Sequence, residues 1–211
     1  MSAGVAPDRT GRVLIIASNN AAKITEFSRL LAGSPWVVRS LEQAGFVDEI
    51  PEPGPTYADN ALTKAATASS ALGLPALGDD SGIEVEALHG WPGPSSARWL
   101  GADATDEDRL RGLLAEVNLR TPGDRHARYV CALALSRPGA EPIVAQGECH
   151  GLIVEPRGDG GFGYDPIFLS DDLGITFGEA ADRAKDRVSH RAHALRRLAE
   201  SGVLDPQPDT A

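Results

Sequence analysis

Three short segments near the start of the chain restrict its fold more than anything that follows them. Arg12 to Ser18 (RVLIIAS) is an apolar run suited to a buried strand, and Trp36 to Ser40 reads as a second one. Between them, Asn20 to Ala32 puts Ile24, Phe27, Leu30 and Leu31 on one helical face. Strand, helix and strand in this order make a β-α-β unit, in which a helix crosses over a parallel strand pair. Thr56 to Leu72 extends the pattern as an Ala-rich helix, with Thr56 as N-cap and Asp59 in the first turn.

Strand signals then dominate. Pro75 to Gly78 and Ile83 to Leu88 flank an acidic turn, Asp79-Asp80-Ser81-Gly82. Ala127 to Ser136 and Pro142 to Glu155 read as long paired strands joined at Pro138-Gly139. Helices are expected over Thr105 to Val117 and over Asp182 to Ser201, the latter turning Val188, Leu195 and Leu198 inward. The expected fold is α/β with a mixed sheet, a single domain over residues 12–204, with residues 1–11 and 205–211 as mobile tails.

Charge narrows the function. Thirty acidic and twenty basic residues give a net charge of -10, which repels a polyphosphate backbone, and no run of Lys and Arg makes a basic patch. Nucleic acid is therefore not an expected partner, whereas a small phosphorylated ligand needs only a few convergent cations. Cys131 and Cys149 read as reduced, buried thiols, and neither a leader-like nor a membrane-spanning run is evident, so a cytoplasmic location without membrane partners is expected.

Four clusters carry candidate chemistry. Ser18-Asn19-Asn20-Ala21-Ala22-Lys23 joins the first strand to a helix, gathering backbone N–H groups, the positive helix end and the Lys23 ammonium around one point. The alternative is a capped helix with a solvated lysine. The acidic turn is the second cluster: adjacent carboxylates need a compensating cation, and Mg²⁺ suits a site with one or two carboxylates, phosphate oxygens and water. A purely structural polar turn is the competing interpretation. Glu49 and Glu52 in the preceding loop could add an oxygen, and Asn60 and Lys64 share a helix face at i,i+4. Third, Arg157 to Phe168 (RGDGGFGYDPIF) satisfies G-x-G-x-x-G, but Asp165-Pro166 and an extended Ile167-Phe168 follow where a dinucleotide motif needs a helix. What remains is a glycine-freed loop offering Phe162, Tyr164 and Asp165 to a planar heterocycle, or packing its own aromatics on the core. Last, Lys185 and Ser189 share one face of the final helix beside His190 and Arg191, while His190 and His193 lack a third ligand for zinc.

In order, SNNAAK at 18–23, EPGPTYADNALTKA at 52–65, GDDSGIEV at 78–85, GWPGPSSARW at 90–99, PRGDGGFGYDPIF at 156–168 and KDRVSHRAHAL at 185–195 resemble the inosine/xanthosine triphosphate pyrophosphatases. The resemblance runs from Arg12 to about Leu198, and GFGYDP and SHR are its most specific parts. It implies an ITPase-like, Maf-related α/β fold: an elongated mixed β-sheet with flanking helices in two lobes around a nucleotide cleft, usually as a homodimer. It further implies Mg²⁺-dependent hydrolysis of ITP, dITP and XTP to the monophosphate and pyrophosphate. By motif, Asp80 resembles the general base and metal ligand, Glu52 the second metal ligand (Glu49 the alternative), and Lys23 and Lys64 the cations that offset leaving-group charge. Ser18, Asn19, Asn20, Lys23, Asn60, Ser81, Phe162, Gly163, Tyr164, Asp165, Lys185, His190 and Arg191 resemble the substrate-binding set. Three positions depart from the family pattern: Glu52-Pro53-Gly54 stands for an acidic-Thr-Gly, Tyr57 for a frequent Phe, and Ala184 for a frequent Glu. A Maf-like pyrimidine nucleotide pyrophosphatase and a non-catalytic nucleotide-binding regulator are the alternatives.

Overall fold

The computed structural model describes residues 12–52, 54–101, 103–121 and 123–204. The two segments expected to be tails lie outside the described residues.

The β-α-β opening forms as expected. Strand β1 (Arg12–Ile16) pairs in parallel with β2 (Trp36–Ser40), and helix α1 (Ala21–Leu30) crosses between them, capped by Asn20. Helix α2 (Tyr57–Leu72), capped by the Thr56 hydroxyl, leads to β3 (Ala76–Val85), which is parallel to β1 on its other side. The first crossover runs from β1 to β2 and the second runs back from β2 past β1 to β3, in opposite directions across the sheet, so α1 and α2 cover opposite faces. Helix α3 (Asp106–Arg120) precedes the antiparallel strands β4 (His126–Arg137), β5 (Ala140–Ile153) and β6 (Phe168–Ser170). The six-stranded mixed sheet runs β2-β1-β3-β4-β5-β6.

Two expectations fail. The acidic segment is not a turn between two strands; Asp79, Asp80, Ser81 and Gly82 lie inside β3 and pair with Leu133, Ala132, Cys131 and Val130 of β4. Asp, Ser and Gly carry turn chemistry, but the long β4 register overrides it. The last helix is two: α4 (Asp182–Val188) and α5 (His190–Glu200), broken at Ser189, whose backbone is extended and whose hydroxyl caps α5 through Ala192 N–H at 3.2 Å. Lys185 and Ser189 therefore do not share a helix face.

Strand periodicity then decides the placement of everything on β3. Leu77, Asp79, Ser81, Ile83 and Val85 share the face covered by α1 and α5. On that face Leu77, Cys131, Leu133 and Leu135 belong to one core with Phe27 and Leu198, while Ile83, Val85 and Tyr129 belong to a second with Leu113 and Phe177. Asp79 and Ser81 fall between these two cores. The other face carries Gly78 and Asp80 beneath α2, whose Ala61 and Ala65 pack with Ala132 and Ala134.

The alanines of α2 follow from how close it lies. A Cβ at Gly78 would stand 2.1 Å from the Ala61 carbonyl oxygen, and one at Gly147 of β5 would stand 2.2 Å from Ala194 N of α5. Both obstacles are backbone, so neither can swing aside. Gly78→Ala and Gly147→Ala are each expected to lower unfolding free energy by about 1–3 kcal/mol, the scale of an overpacked core, as measured by urea denaturation.

Candidate active site

Asp79 is the centre of the α1/α5 face. Its carboxylate has no solvent exposure and is bound by Lys23 Nζ, by Arg191 Nε at 3.1 Å and by Cys131 Sγ at 3.2 Å. Ser81 Oγ donates to it at 3.2 Å and accepts from Arg191 Nη2 at 2.7 Å. Burial alone would raise this carboxyl's pKa; the adjacent Arg191 and Lys23 outweigh it and hold the group well below the usual carboxylate range. Arg191 and Ser189 also donate to the buried Glu26 carboxylate of α1, at 3.2 and 3.3 Å. Lys185 Nζ lies 3.9 Å from Glu26 and 2.5 Å from Asp165. Three cations thus meet three carboxylates, Asp79, Glu26 and Asp165, in one buried network.

An open cleft of about 100 Å³ runs beside this network. Asn20, Lys23, Ser81, His190 and Arg191 line it together with Phe162, Gly163 and Tyr164. His190 stacks on Tyr129 with centroids 4.6 Å apart, and its Nδ1 is buried without a partner. Burial, together with the charges of Arg191 and Lys185, keeps this imidazole well below its ordinary pKa, hence neutral near pH 7. Phe162 lies against two cations, Lys185 Nζ at 4.7 Å and the Arg191 guanidinium at 5.2 Å from its centroid.

Asp80 points the opposite way, under α2. Asn60 Nδ2 donates to it at 3.1 Å, and Lys64 Nζ approaches it at 3.0 Å and Glu52 at 2.5 Å. Burial pushes Asp80 above the usual carboxylate range despite Lys64 and Asn60. Glu52, although burial opposes it, is held below that range by Lys64 and Arg98, with Arg98 paired directly to it. Glu49 is exposed and stands outside this cluster. Among the described residues, no group of three or more His, Cys, Asp or Glu side chains could hold a metal. Asp80 and Glu52 nevertheless share one cationic partner, and such a pair fits an ion like Mg²⁺, which takes one or two carboxylates and completes its shell with phosphate and water.

The other expected residues divide. Asn20 Oδ1 accepts from the N–H groups of Ala22 and Lys23 at 2.9 and 3.1 Å, and Ser18 Oγ accepts from Asn20 N–H at 3.1 Å. The helix end is therefore capped by its own side chain, and Lys23 is not solvated but paired. Asn19 faces a separate cavity with Ile24, Ser40 and Phe46. Tyr164 is a wall rather than an adaptable contact: its hydroxyl donates to Ser96 O at 2.7 Å and accepts from Trp99 Nε1 at 2.8 Å. Asp165 is occupied by Lys185, by Tyr129 Oη at 3.2 Å and by Phe162 N–H at 2.8 Å, so it shapes the loop instead of standing free as an acceptor. No helix follows the three glycines; a single 3₁₀ turn at Asp165–Ile167 leads into β6. Sequence reasoning missed Glu26, Tyr129, Ser96, Arg98 and Arg109. Glu26 had a signal, since it stands three residues after Lys23 on the same helical face.

The two faces meet at one edge. β1 pairs with β3 through Ile15–Ala76 and Ile16–Leu77, and Ala17 N–H bonds Leu77 O at 2.8 Å, so β1 ends beside Leu77 while β3 runs on against β4. This is the point where strand order reverses around β1, the usual ligand position of parallel α/β sheets. Fold and site together define an α/β protein with an open cleft at its topological switch point.

The chain belongs to the Ham1 family, which matches residues 14–201. It is 44% identical over 183 residues to the dITP/XTP pyrophosphatase of Geobacter sulfurreducens, covering 86% of this chain and 92% of that one. A Ham1 protein from Coxiella burnetii superposes with a TM-score of 0.79 at 36% identity, over 90% of this chain and 98% of that one. The nucleoside-triphosphatase / dITP/XTP pyrophosphatase of Mycobacterium abscessus gives 0.68 at 39%, over 88% and 98%.

The network predicts its own sensitivities. Asp79→Asn leaves Lys23 and Arg191 facing a neutral amide and is expected to cost about 3–5 kcal/mol by urea denaturation. His190 predicts a pH effect: the unfolded chain binds its proton below about pH 6.5 while the native chain does not, so stability falls as pH drops through that range. His190→Gln should flatten this limb in thermal melts recorded from pH 7 to pH 5.

Proposed function

We propose that this chain hydrolyses ITP, dITP and XTP to the nucleoside monophosphate and pyrophosphate, clearing deaminated purines from the nucleotide pool. The observation that carries the reading is the division of labour across β3. Asp79 and Ser81 serve a cleft fit for a nucleoside, while Asp80 heads a separate cluster of carboxylates and lysine, and both adjoin the same open edge. A nucleotide whose base lies by Phe162 and whose phosphates cross that edge past Ser18, Asn20 and Lys23 reaches Lys64 and Asp80 with its polyphosphate.

In this reading Asp80 accepts the proton of the water that attacks the α-phosphorus, and its burial suits it to that task. Asn60 fixes the carboxylate's orientation by donating to Oδ2. Lys23 and Lys64 stabilise the charge that gathers on the departing pyrophosphate. Asp80 and Glu52 would hold Mg²⁺, which neutralises phosphate charge when bound. At the other end, His190 and Arg191 offer hydrogen bonds to a 6-oxo purine, and adenine leaves such groups mispaired. The reading also takes residues 12–204 as one domain and the protein as a cytoplasmic homodimer. Among the described residues no helix is long and apolar enough to cross a membrane.

Pyrophosphate release measured over ITP, dITP, XTP, ATP, dTTP and UTP, with and without Mg²⁺, tests the assignment. Metal-dependent turnover of the first three is expected; comparable rates on ITP and ATP, or a preference for the pyrimidines, refute it. Asp80→Asn should lower kcat by roughly 10²–10⁴-fold, the usual scale for loss of a general base. Glu52→Gln should weaken Mg²⁺ binding by calorimetry, and Glu49→Gln should not.

A further inference from the structure

The 6-oxo edge accounts for rejection of adenine, but guanine carries the same edge, and xanthine differs from hypoxanthine only at position 2. A side chain outside the buried network bears on that position. Arg109 of α3 lines the same cleft as Gly163 and Tyr164, with its side chain 16% exposed. It is held by the Ala104 carbonyl and lies 3.5 Å from Asp106, whose other carboxylate oxygen accepts from Gly163 N–H at 3.1 Å. A guanidinium has five donors and no acceptor, and these contacts leave donors to spare. The α3 turn carrying Asp106 and Arg109 therefore both braces the Phe162 loop and presents a cation to the cleft.

We propose that Arg109 sets the preference at the purine 2-position, favouring the 2-oxo group of xanthine and disfavouring the 2-amino group of guanine. This rests on the functional reading above, in which the 6-oxo group is met by His190 and Arg191. Positions 6 and 2 flank N1 on one edge of the ring, so a base held at its 6-oxo group also presents position 2 to the wall of the cleft, which Arg109 lines. A carbonyl there accepts from the guanidinium, and the bond strengthens when xanthine sheds its acidic ring proton. A 2-amino group meets donors with donors and loses its water. Hypoxanthine, with only hydrogen at this position, is the neutral reference.

The test compares kcat/KM on XTP, ITP and GTP for the wild type, Arg109→Ala and Arg109→Gln. The XTP:ITP ratio is expected to fall roughly tenfold, the scale of one charge-assisted hydrogen bond, and the GTP:ITP ratio to rise. A merely structural brace would lower all three together and leave the ratios unchanged, which overturns the proposal. Calorimetric binding of XMP and IMP to the same proteins separates the two failures. If the wild type releases pyrophosphate from none of the triphosphates, the functional reading is lost, and Arg109 stands or falls on whether its replacement shifts the XMP:IMP affinity ratio. If one variant does not fold, the other decides.

Discussion

Everything around the cleft depends on a carboxylate with no access to water. Asp79 stays charged because Lys23 arrives from α1 and Arg191 from α5. A buried ion pair of this kind adds little net stability over an apolar equivalent, yet it fixes which groups must meet. Here it draws the start of α1 and the start of α5 onto the middle of β3, where Ser81 completes the contact. Glu26 and Asp165 repeat the device with Lys185, so the Phe162 loop is tied to the same network. The charged residues that resemble a substrate-binding set are thus largely spent on one another. They give the cleft its shape and field, and the groups left free within it are few.

The opening β-α-β unit, the cap at Thr56 and the long β4–β5 pair were legible because each rests on local spacing. Asp79 to Gly82 was not, since the residue types that favour a turn are the same ones that sit here in a strand. Only the β4 register reveals that successive carboxylates face opposite ways, and that register comes from chain more than forty residues distant. Helical periodicity likewise runs through Ser189 without a break, because the cap that ends one helix begins the next. Candidate residues stand out by motif, but the partners they bind within the protein do not. Asp165 and Tyr164 have the chemistry of ligand contacts and are also bonded within the protein, to partners on β4 and in the loop at Ser96 to Trp99 that no short window contains.

The split of Asp79 from Asp80 also explains how two adjacent acids avoid mutual repulsion. Pointing to opposite faces, each has its own cations; burial pushes both proton affinities up, and Arg191 with Lys23 brings only Asp79 below the usual range. One becomes permanently charged and structural; the other keeps a readiness to take a proton. Neighbouring positions in sequence are in this way chemically remote.

The two apolar cores that flank the cleft are joined by uninterrupted β3 and β4. The floor of the cleft is therefore a pair of continuous beams with no hinge loop let into them. Narrowing it over a ligand means bending those strands against a ladder of backbone hydrogen bonds, a stiff mode compared with the swing of a lid. With its floor fixed in this way, any adjustment of the cavity to a visitor falls to the loops and helices of its walls.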